Sequence, residues 1–144
     1  MTKIFAHRGA SAYAPENTME AFELAAKQGA DGIELDVHVT KDGEVVVTHD
    51  EKIDRVSNGS GFIKDMTLRE LKRLSFHNHM ESYVGAGIPT LREVLEYVST
   101  TNMDVNIELK TGIYWYPQIE EKTAFIVQET VMHDRVIYSS FNHH

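Results

Sequence analysis

The sequence contains no cysteine, which excludes disulfide bonds and thiolate metal sites. No apolar run approaches the roughly 20 residues of a membrane-spanning helix, and no signal-type apolar core follows the first residues. Positive charge is scarce, because 14 Lys and Arg face 22 Asp and Glu and give a formal net charge of −8. A nucleic-acid groove needs a basic surface, so no nucleic-acid partner is expected. We therefore expect a cytoplasmic protein without a transmembrane segment.

The composition that is present suits a folded protein. A hydrophobic content of 42% in 144 residues is ordinary for a globular chain, and the length predicts a single domain over residues 1–144. The acidic excess is compatible with a site that concentrates divalent cations. A solvated acidic surface explains most of the same charge, so the excess alone does not identify a site.

Short β-type segments alternate with amphipathic helical segments along the chain. The predicted strands are residues 3–7, 32–39, 45–48, 105–110 and 135–141. The predicted helices are residues 17–28, 68–74, 91–98 and 119–131. Strands and helices that alternate in this way are typical of parallel βα units. A closed (β/α)₈ barrel needs eight such units and about 250 residues, so five strands predict only part of a barrel.

The predicted helices have recognisable starts. Asn17 is a good N-cap residue, and Glu20 stands three positions later, as in a capping box. The sequence Thr-Leu-Arg-Glu occurs twice, from Thr67 and from Thr90, and predicts a capping box at each of these two helices. Between the third predicted strand and the helix start at Thr90 lies a less regular segment, residues 51–89.

The segment 32–39 carries the most informative pattern. Side chains alternate between the two faces of a strand, so Glu34 and Asp36 share one face, and His38 lies further along it. Two buried carboxylates repel each other and are costly to desolvate, and a divalent cation resolves both problems. Oxygen ligands favour Mg²⁺, Ca²⁺ or Mn²⁺ over zinc. The alternative is an edge strand with a solvated acidic face.

The segment 105–110 repeats this pattern on a second strand. Glu108 could complete the metal site, and Lys110, on the same face, could bind an anionic substrate oxygen. An internal ion pair between these two side chains explains the pattern equally well in isolation. Two neighbouring strands with the same polar face favour a shared site.

Two histidines, His7 and His49, each close a β-type segment. An imidazole has an unperturbed pKa of about 6.5, so it can accept and donate protons near neutral pH. Arg8 offers a planar guanidinium for phosphate oxygens. A single histidine at a strand end is more often structural than catalytic, but two of them with an arginine and an acidic strand favour a catalytic site. His38, His77, His79 and His133 are predicted to lie at the surface.

In sum, the motifs of this chain resemble those of the glycerophosphodiester phosphodiesterase family, in order and spacing. The motifs are His7-Arg8-Gly9, Pro15-Glu16-Asn17-Thr18, Glu34-Leu35-Asp36-Val37, Thr40-Lys41-Asp42-Gly43, His49-Asp50, Ile107-Glu108-Leu109-Lys110 and Ser139-Ser140-Phe141-Asn142. The resemblance covers essentially the whole chain. No single motif decides the assignment, but the ordered set is highly specific.

The resemblance implies an α/β fold of the TIM-barrel type, here incomplete after the fifth strand, with about five parallel strands and a small insertion at 51–89 after strand 3. It implies metal-dependent hydrolysis of glycerophosphodiesters to an alcohol and glycerol 3-phosphate. The implied cofactor is one divalent cation, Mg²⁺ or Ca²⁺ with Mn²⁺ as a further candidate. The implied roles are metal ligation by Glu34, Asp36 and Glu108, acid–base catalysis by His7 and His49, and phosphate binding by Arg8 and Lys110.

Two other functions remain open from the sequence. One is a non-catalytic half-barrel that binds a metal or phosphate and associates with itself or with a partner to cover the open barrel. The other is a phospholipase-like relative that acts on larger lipid phosphodiesters. The attacking hydroxyl also stays open between water and a glycerol hydroxyl of the substrate, which would give a cyclic phosphate first.

Overall fold

The computed structural model describes residues 2–111 and 119–142, and within them one five-stranded sheet organises the chain. The strands are β1 (Phe5–His7), β2 (Gly32–Val39), β3 (Val45–Val47), β4 (Asp104–Thr111) and β5 (Val136–Asn142). The α-helices are α1 (Met19–Lys27), α2 (Leu68–Lys72), α3 (Leu91–Val98) and α4 (Ile119–Glu129). No helix in these two ranges is long and apolar enough to cross a membrane.

The main path of the sheet runs β1-β2-β4-β5, and all three pairings along it are parallel. Helices separate consecutive strands of this path, which confirms the predicted α/β class. The prediction that all five strands are parallel is wrong for β3, which pairs antiparallel with the end of β2, with Val37 opposite Val47. A parallel connection needs a crossover of about a dozen residues. Only the short turn 40–44 joins β2 to β3, so the chain can return only as a hairpin.

The apolar side of β2 forms the centre of the main core. Ile33, Leu35 and Val37 are at most 1% exposed and belong to one cluster with Phe22 of α1 and Leu95 of α3. This arrangement confirms the alternation predicted for the strand. Since successive side chains point to opposite faces, the intervening polar residues of β2 must lie on the side away from this core.

The segment 51–89 has a hydrophobic cluster of its own. Ile53, Ile63, Leu71 and Phe76 are buried together, and Val46 of β3 belongs to the same cluster. The segment therefore packs directly on the hairpin that follows β2. Its description as an insertion, and that of residues 1–144 as a single domain, remain predictions.

Two of the three predicted helix starts are confirmed. Thr67 and Thr90 each form a capping box, with the glutamate three residues later. The prediction for α1 is wrong, because Thr18 is the N-cap and accepts a hydrogen bond from the backbone N–H of Ala21 at 3.3 Å. An N-cap residue needs an extended backbone, whereas Asn17 is left-handed with a φ of 56°. The side chain of Asn17 is thereby free to point elsewhere.

The turn after β1 passes very close to α1. Gly9 has a φ of +79°, and a Cβ at this position would lie 2.8 Å from backbone and side-chain atoms of Ala21. Glycine is thus required here for two reasons, the left-handed backbone and the short distance.

Gly29 shares only the left-handed backbone with Gly9. Its φ is +78°, but a Cβ there would meet nothing within 4 Å. We expect Gly29→Ala to lower the free energy of unfolding by about 1–2 kcal/mol, the cost of a left-handed alanine. Gly9→Ala should lower it by roughly 1–3 kcal/mol more, because Ala21 must also shift. Urea unfolding of both variants measures the difference, and equal losses would show that the contact with Ala21 is unimportant.

Candidate active site

The polar side of the sheet gathers four of the predicted site residues. His7 of β1 is in register with Glu34 of β2, and Asp36 of β2 is in register with Glu108 of β4. Residues in register on neighbouring strands point to the same side of a sheet. The four side chains therefore share the face opposite the main core.

Asp36 is the most deeply placed of the carboxylates, with 2% of the residue exposed. Asn17 donates a hydrogen bond from Nδ2 to Asp36 Oδ2 over 3.2 Å, and Nε of Arg8 lies 3.8 Å from the same oxygen. A buried carboxylate is costly unless it is hydrogen-bonded and paired with a positive charge. Both groups come from the loop between β1 and α1, so this loop is what makes the burial of Asp36 tolerable.

Backbone hydrogen bonds hold that loop against β2. The Arg8 N–H donates to Glu34 O at 2.8 Å, and the Asn17 N–H donates to Arg8 O at 2.9 Å. Arg8 and Asn17 both have left-handed backbones, with φ of 58° and 56°. Such conformations are uncommon for residues other than glycine and are found where surrounding structure holds them. Here they turn both side chains towards Asp36.

His49 follows β3 and is held from two directions. Its Nδ1 lies 2.7 Å from Asp50 Oδ1, and its backbone carbonyl accepts a hydrogen bond from His38 Nε2 at 2.9 Å. His38 is 0% exposed, so the prediction that it lies at the surface is wrong. It is buried because its ring supports the backbone at His49, where a carbonyl oxygen needs a donor.

A positive side chain from the irregular segment joins two of these groups. Arg55 Nη1 donates to Glu16 Oε1 at 2.7 Å, and Arg55 Nε donates to Asp50 Oδ2 at 2.8 Å. Glu16 also accepts a hydrogen bond from Arg8 Nη1 at 3.1 Å. The guanidinium of Arg55 therefore connects the loop after β1 with the residues after β3.

These contacts keep both carboxylates ionised. Burial alone would raise the pKa of Glu16, but the hydrogen bonds and charge of Arg55, with the charge of Arg8, outweigh it and hold the pKa below its ordinary value. Burial likewise opposes ionisation of Asp50, and hydrogen bonds from Arg55 and His49 lower its pKa. Hydrogen bonds to Glu16 and Asp50 raise the pKa of Arg55. All three groups are charged at neutral pH.

The donor types on this face suit a hard cation. Asp36 and Glu108 supply carboxylate oxygens, and Asn17 Oδ1 is a buried oxygen without a hydrogen-bond partner in the described part of the chain. Within residues 2–111 and 119–142, no group of three His, Asp or Glu lies close enough together to hold a metal ion. The face thus brings together the right kind of ligand without gathering three acidic or histidine groups at one point.

Lys110 is the second of the two predicted phosphate-binding residues. Its backbone belongs to β4 and pairs with Phe141 of β5. Its side chain lies outside the described residues, so its role in phosphate binding stays a prediction.

Sequence reasoning missed most of the groups that support the site. Glu16, Asn17 and Asp50 stand inside the quoted motifs, and their position next to His49 or before α1 was the available signal. Arg55 has no such signal, because it contacts Glu16 across 39 positions of sequence. Only the fold brings the two together.

Comparison with known proteins identifies the family of the chain. The Glycerophosphoryl diester phosphodiesterase family matches residues 7–144 of the chain. A glycerophosphodiester phosphodiesterase of Caldanaerobacter subterraneus subsp. tengcongensis is 52% identical over 144 residues, which are 99% of this chain and 59% of that protein. One of Bacillus altitudinis is also 52% identical and is covered to 59%. The chain thus spans about three-fifths of the length of these relatives.

Solved structures show the same fold. The glycerophosphodiester phosphodiesterase of Agrobacterium tumefaciens str. C58 has a TM-score of 0.88 and 42% identity, over 98% of this chain and 58% of that one. A phosphodiesterase of Oleispira antarctica, solved with the product sn-glycerol-3-phosphate, has a TM-score of 0.83 and 34% identity, over 99% and 59%. These likenesses confirm a fold of the TIM-barrel type, incomplete in the described residues. On the family match and these identities, the chain belongs to the glycerophosphoryl diester phosphodiesterase family.

Proposed function

We propose that this chain carries the catalytic face of a phosphoric diester hydrolase that cleaves glycerophosphodiesters to an alcohol and glycerol 3-phosphate. The observation that supports the proposal most is the shared polar face, where Asp36 is buried between Arg8 and Asn17 and stands in register with Glu108. Because a buried ion pair contributes little net stability, its presence here favours a functional role. The relative from Oleispira antarctica holds sn-glycerol-3-phosphate, which is the product expected here.

The family generally depends on a divalent metal. We propose Glu34, Asp36 and Glu108 as the ligands, with Mg²⁺ or Ca²⁺ as the ion and Mn²⁺ as a further candidate. Since the three carboxylates share one face without meeting at one point, binding of the ion would draw their side chains together. The bound ion would neutralise charge on the phosphate and polarise the bond to be broken. Asn17 orients Asp36 through the hydrogen bond at its Oδ2.

The chain's own side chains then bind the phosphate and move the protons. Arg8, with Lys110, stabilises the charge that grows on the phosphate oxygens. One of His7 and His49 accepts the proton of the attacking hydroxyl, either water or a glycerol hydroxyl, as the new P–O bond forms. The other gives a proton to the alkoxide that leaves as the old P–O bond breaks. Because Asp50 occupies Nδ1 of His49, that imidazole acts through Nε2.

A non-catalytic half-barrel that associates with itself is the second candidate function. One observation favours it, since Ile137 and Tyr138 of β5 are 58% and 45% exposed although they lie on opposite sides of the strand. Among the described residues, each side of β5 thus carries a large apolar side chain that is about half exposed. Size-exclusion mass measured with glycerophosphocholine turnover separates the two functions: a metal-bound protein without turnover supports the second.

The cytoplasmic location expected from the sequence stays a prediction.

Replacing either proposed acid–base residue should abolish turnover. We expect His7→Ala and His49→Ala each to lower kcat for glycerophosphocholine by at least about a hundredfold, as for the loss of a general acid or base. His133→Ala, at an exposed position after α4, is the matched control and should leave kcat unchanged. Metal affinity should persist in all three variants, and substantial activity in His7→Ala or His49→Ala would refute the pairing.

The metal ligands can be tested without turnover. Asp36→Asn and Glu108→Gln should weaken Mn²⁺ binding by at least about tenfold in titration calorimetry, since even residues that only support a ligand cost that much. Asp104→Asn is the matched control on β4, because its carboxylate pairs with Lys3 at the opposite end of the strand. Unchanged affinity in Asp36→Asn and Glu108→Gln would place the ion elsewhere.

A further inference from the structure

We propose that Arg55 is a positioning residue that sets the orientation of His49 through Asp50 and of Arg8 through Glu16. The proposal rests on the proposed function for its catalytic consequence, but its geometric part stands on the described contacts alone. Arg55 belongs to the irregular segment after β3. Its side-chain hydrogen bonds within the described residues go to Asp50 and Glu16, and not to His7 or His49. Its influence therefore passes through the two carboxylates.

The Asp50 carboxylate contacts both neighbours, and its Oδ1 also accepts a longer hydrogen bond from Arg55 Nη2 at 3.4 Å. Oδ1 lies 2.7 Å from His49 Nδ1, and Oδ2 accepts the hydrogen bond from Arg55 Nε at 2.8 Å. A carboxylate is planar, so fixing one oxygen fixes the direction of the other. Since ionised Asp50 only accepts, Nδ1 of His49 must carry the proton, and Nε2 is the nitrogen that we propose for the reaction. Arg55 thus selects both the rotamer and the tautomer of His49.

The Glu16 carboxylate is held in a corresponding way. Arg55 donates from Nη1 to Oε1 at 2.7 Å and from Nη2 to Oε2 at 2.9 Å, which is the two-pronged geometry of the strongest guanidinium pairs. Oε2 also accepts from Arg8 Nη1 at 3.1 Å. The Glu16 side chain is only 9% exposed, so water competes weakly for these bonds. Arg8 is therefore aligned by a carboxylate that Arg55 holds in place.

The charges explain why one arginine serves both groups. Glu16 and Asp50 approach the same guanidinium from different loops, and without it two ionised carboxylates would face each other across a partly buried space. A lysine could neutralise this charge but is a single point donor, whereas the planar guanidinium presents separate N–H groups to each carboxylate. The arrangement consequently requires the shape of arginine as well as its charge.

Three variants of the full chain test the proposal. Arg55→Gln removes the charge, and Arg55→Lys keeps the charge but loses the planar geometry. Arg92→Gln is the matched control, because Arg92 is 43% exposed against 45% for Arg55 and also pairs with a glutamate, Glu129, away from the site.

The first measurement needs no substrate. In ¹H–¹⁵N spectra of the imidazoles, we expect the Nδ1 proton of His49 to exchange with water at least about tenfold faster in Arg55→Gln and Arg55→Lys than in the wild type, because the Asp50 acceptor is no longer held. Arg92→Gln should keep the wild-type rate. An unchanged rate in both Arg55 variants overturns the proposal.

The second measurement is steady-state kinetics with glycerophosphocholine. Arg55→Gln and Arg55→Lys should each lower kcat by about ten- to a hundredfold, because a catalytic group misplaced by up to about 1 Å costs this much. The loss should be the same size in an Asp50→Asn background only if the two residues act independently. We expect it to become at least about threefold smaller, because only the route through Glu16 to Arg8 remains in that background.

Thermal unfolding distinguishes positioning from folding. If the kcat of Arg55→Lys falls while its Tm equals that of Arg92→Gln, the lost activity reflects misplaced side chains and not unfolding. A fall in Tm that accounts for the lost activity, with the His49 proton exchange unchanged, overturns the proposal. If the wild-type chain turns over no diester at all, the proposed function fails, and the proton exchange of His49 still decides the role of Arg55.

Discussion

The burial of one carboxylate governs the arrangement of this chain. Asp36 points from the middle of β2 into the side of the sheet opposite the main core, where 2% of it is exposed. A charge in such a place needs partners, and Arg8 and Asn17 provide them only by taking left-handed backbones. The turn at Gly9, its approach to Ala21 and the start of α1 at Thr18 follow from the path that the loop must take.

The hairpin β2–β3 brings in the rest of the site. Because β3 runs back along β2, His49 emerges near Asp36, as the hydrogen bond from the Thr48 N–H to Asp36 O shows. His38, near the end of β2, holds the His49 backbone through a hydrogen bond from its ring to the His49 carbonyl. If β3 had been parallel to β2, as the sequence predicted, a crossover connection would have separated His49 from the end of β2. The antiparallel return is therefore part of how the site is built.

Much of this arrangement could be predicted from the sequence, because it depends on local patterns. Alternation along β2 places Ile33 and Leu35 in the core and Asp36 on the opposite face, and the Thr67 and Thr90 helix starts follow from capping chemistry. The acid–base and metal-ligand roles come from similar local patterns and stay predictions. The direction of β3 was also within reach, since a turn as short as 40–44 permits only a hairpin.

The rest depended on contacts between distant segments. Asn17 fits the chemistry of an N-cap, and nothing local shows that the demand of Asp36 outweighs it. A polar ring such as His38 is usually exposed, and its burial follows only from its place beneath the His49 carbonyl. Arg55 meets Glu16 only because two loops converge at one end of the sheet.

The short stretch from Asp50 to Arg55 also limits how this protein can change in length. Only five positions separate the two residues, and both ends are fixed by the same guanidinium pair. Beyond Arg55 the chain stays anchored, because Val56 is buried in the same cluster as Ile53 and the Asn58 N–H donates to Ser75 O at 3.0 Å. An added or deleted residue between Asp50 and Arg55 therefore rotates the guanidinium away from both carboxylates, and the anchored residues that follow do not take up the change. The length of this stretch is thus fixed from both sides.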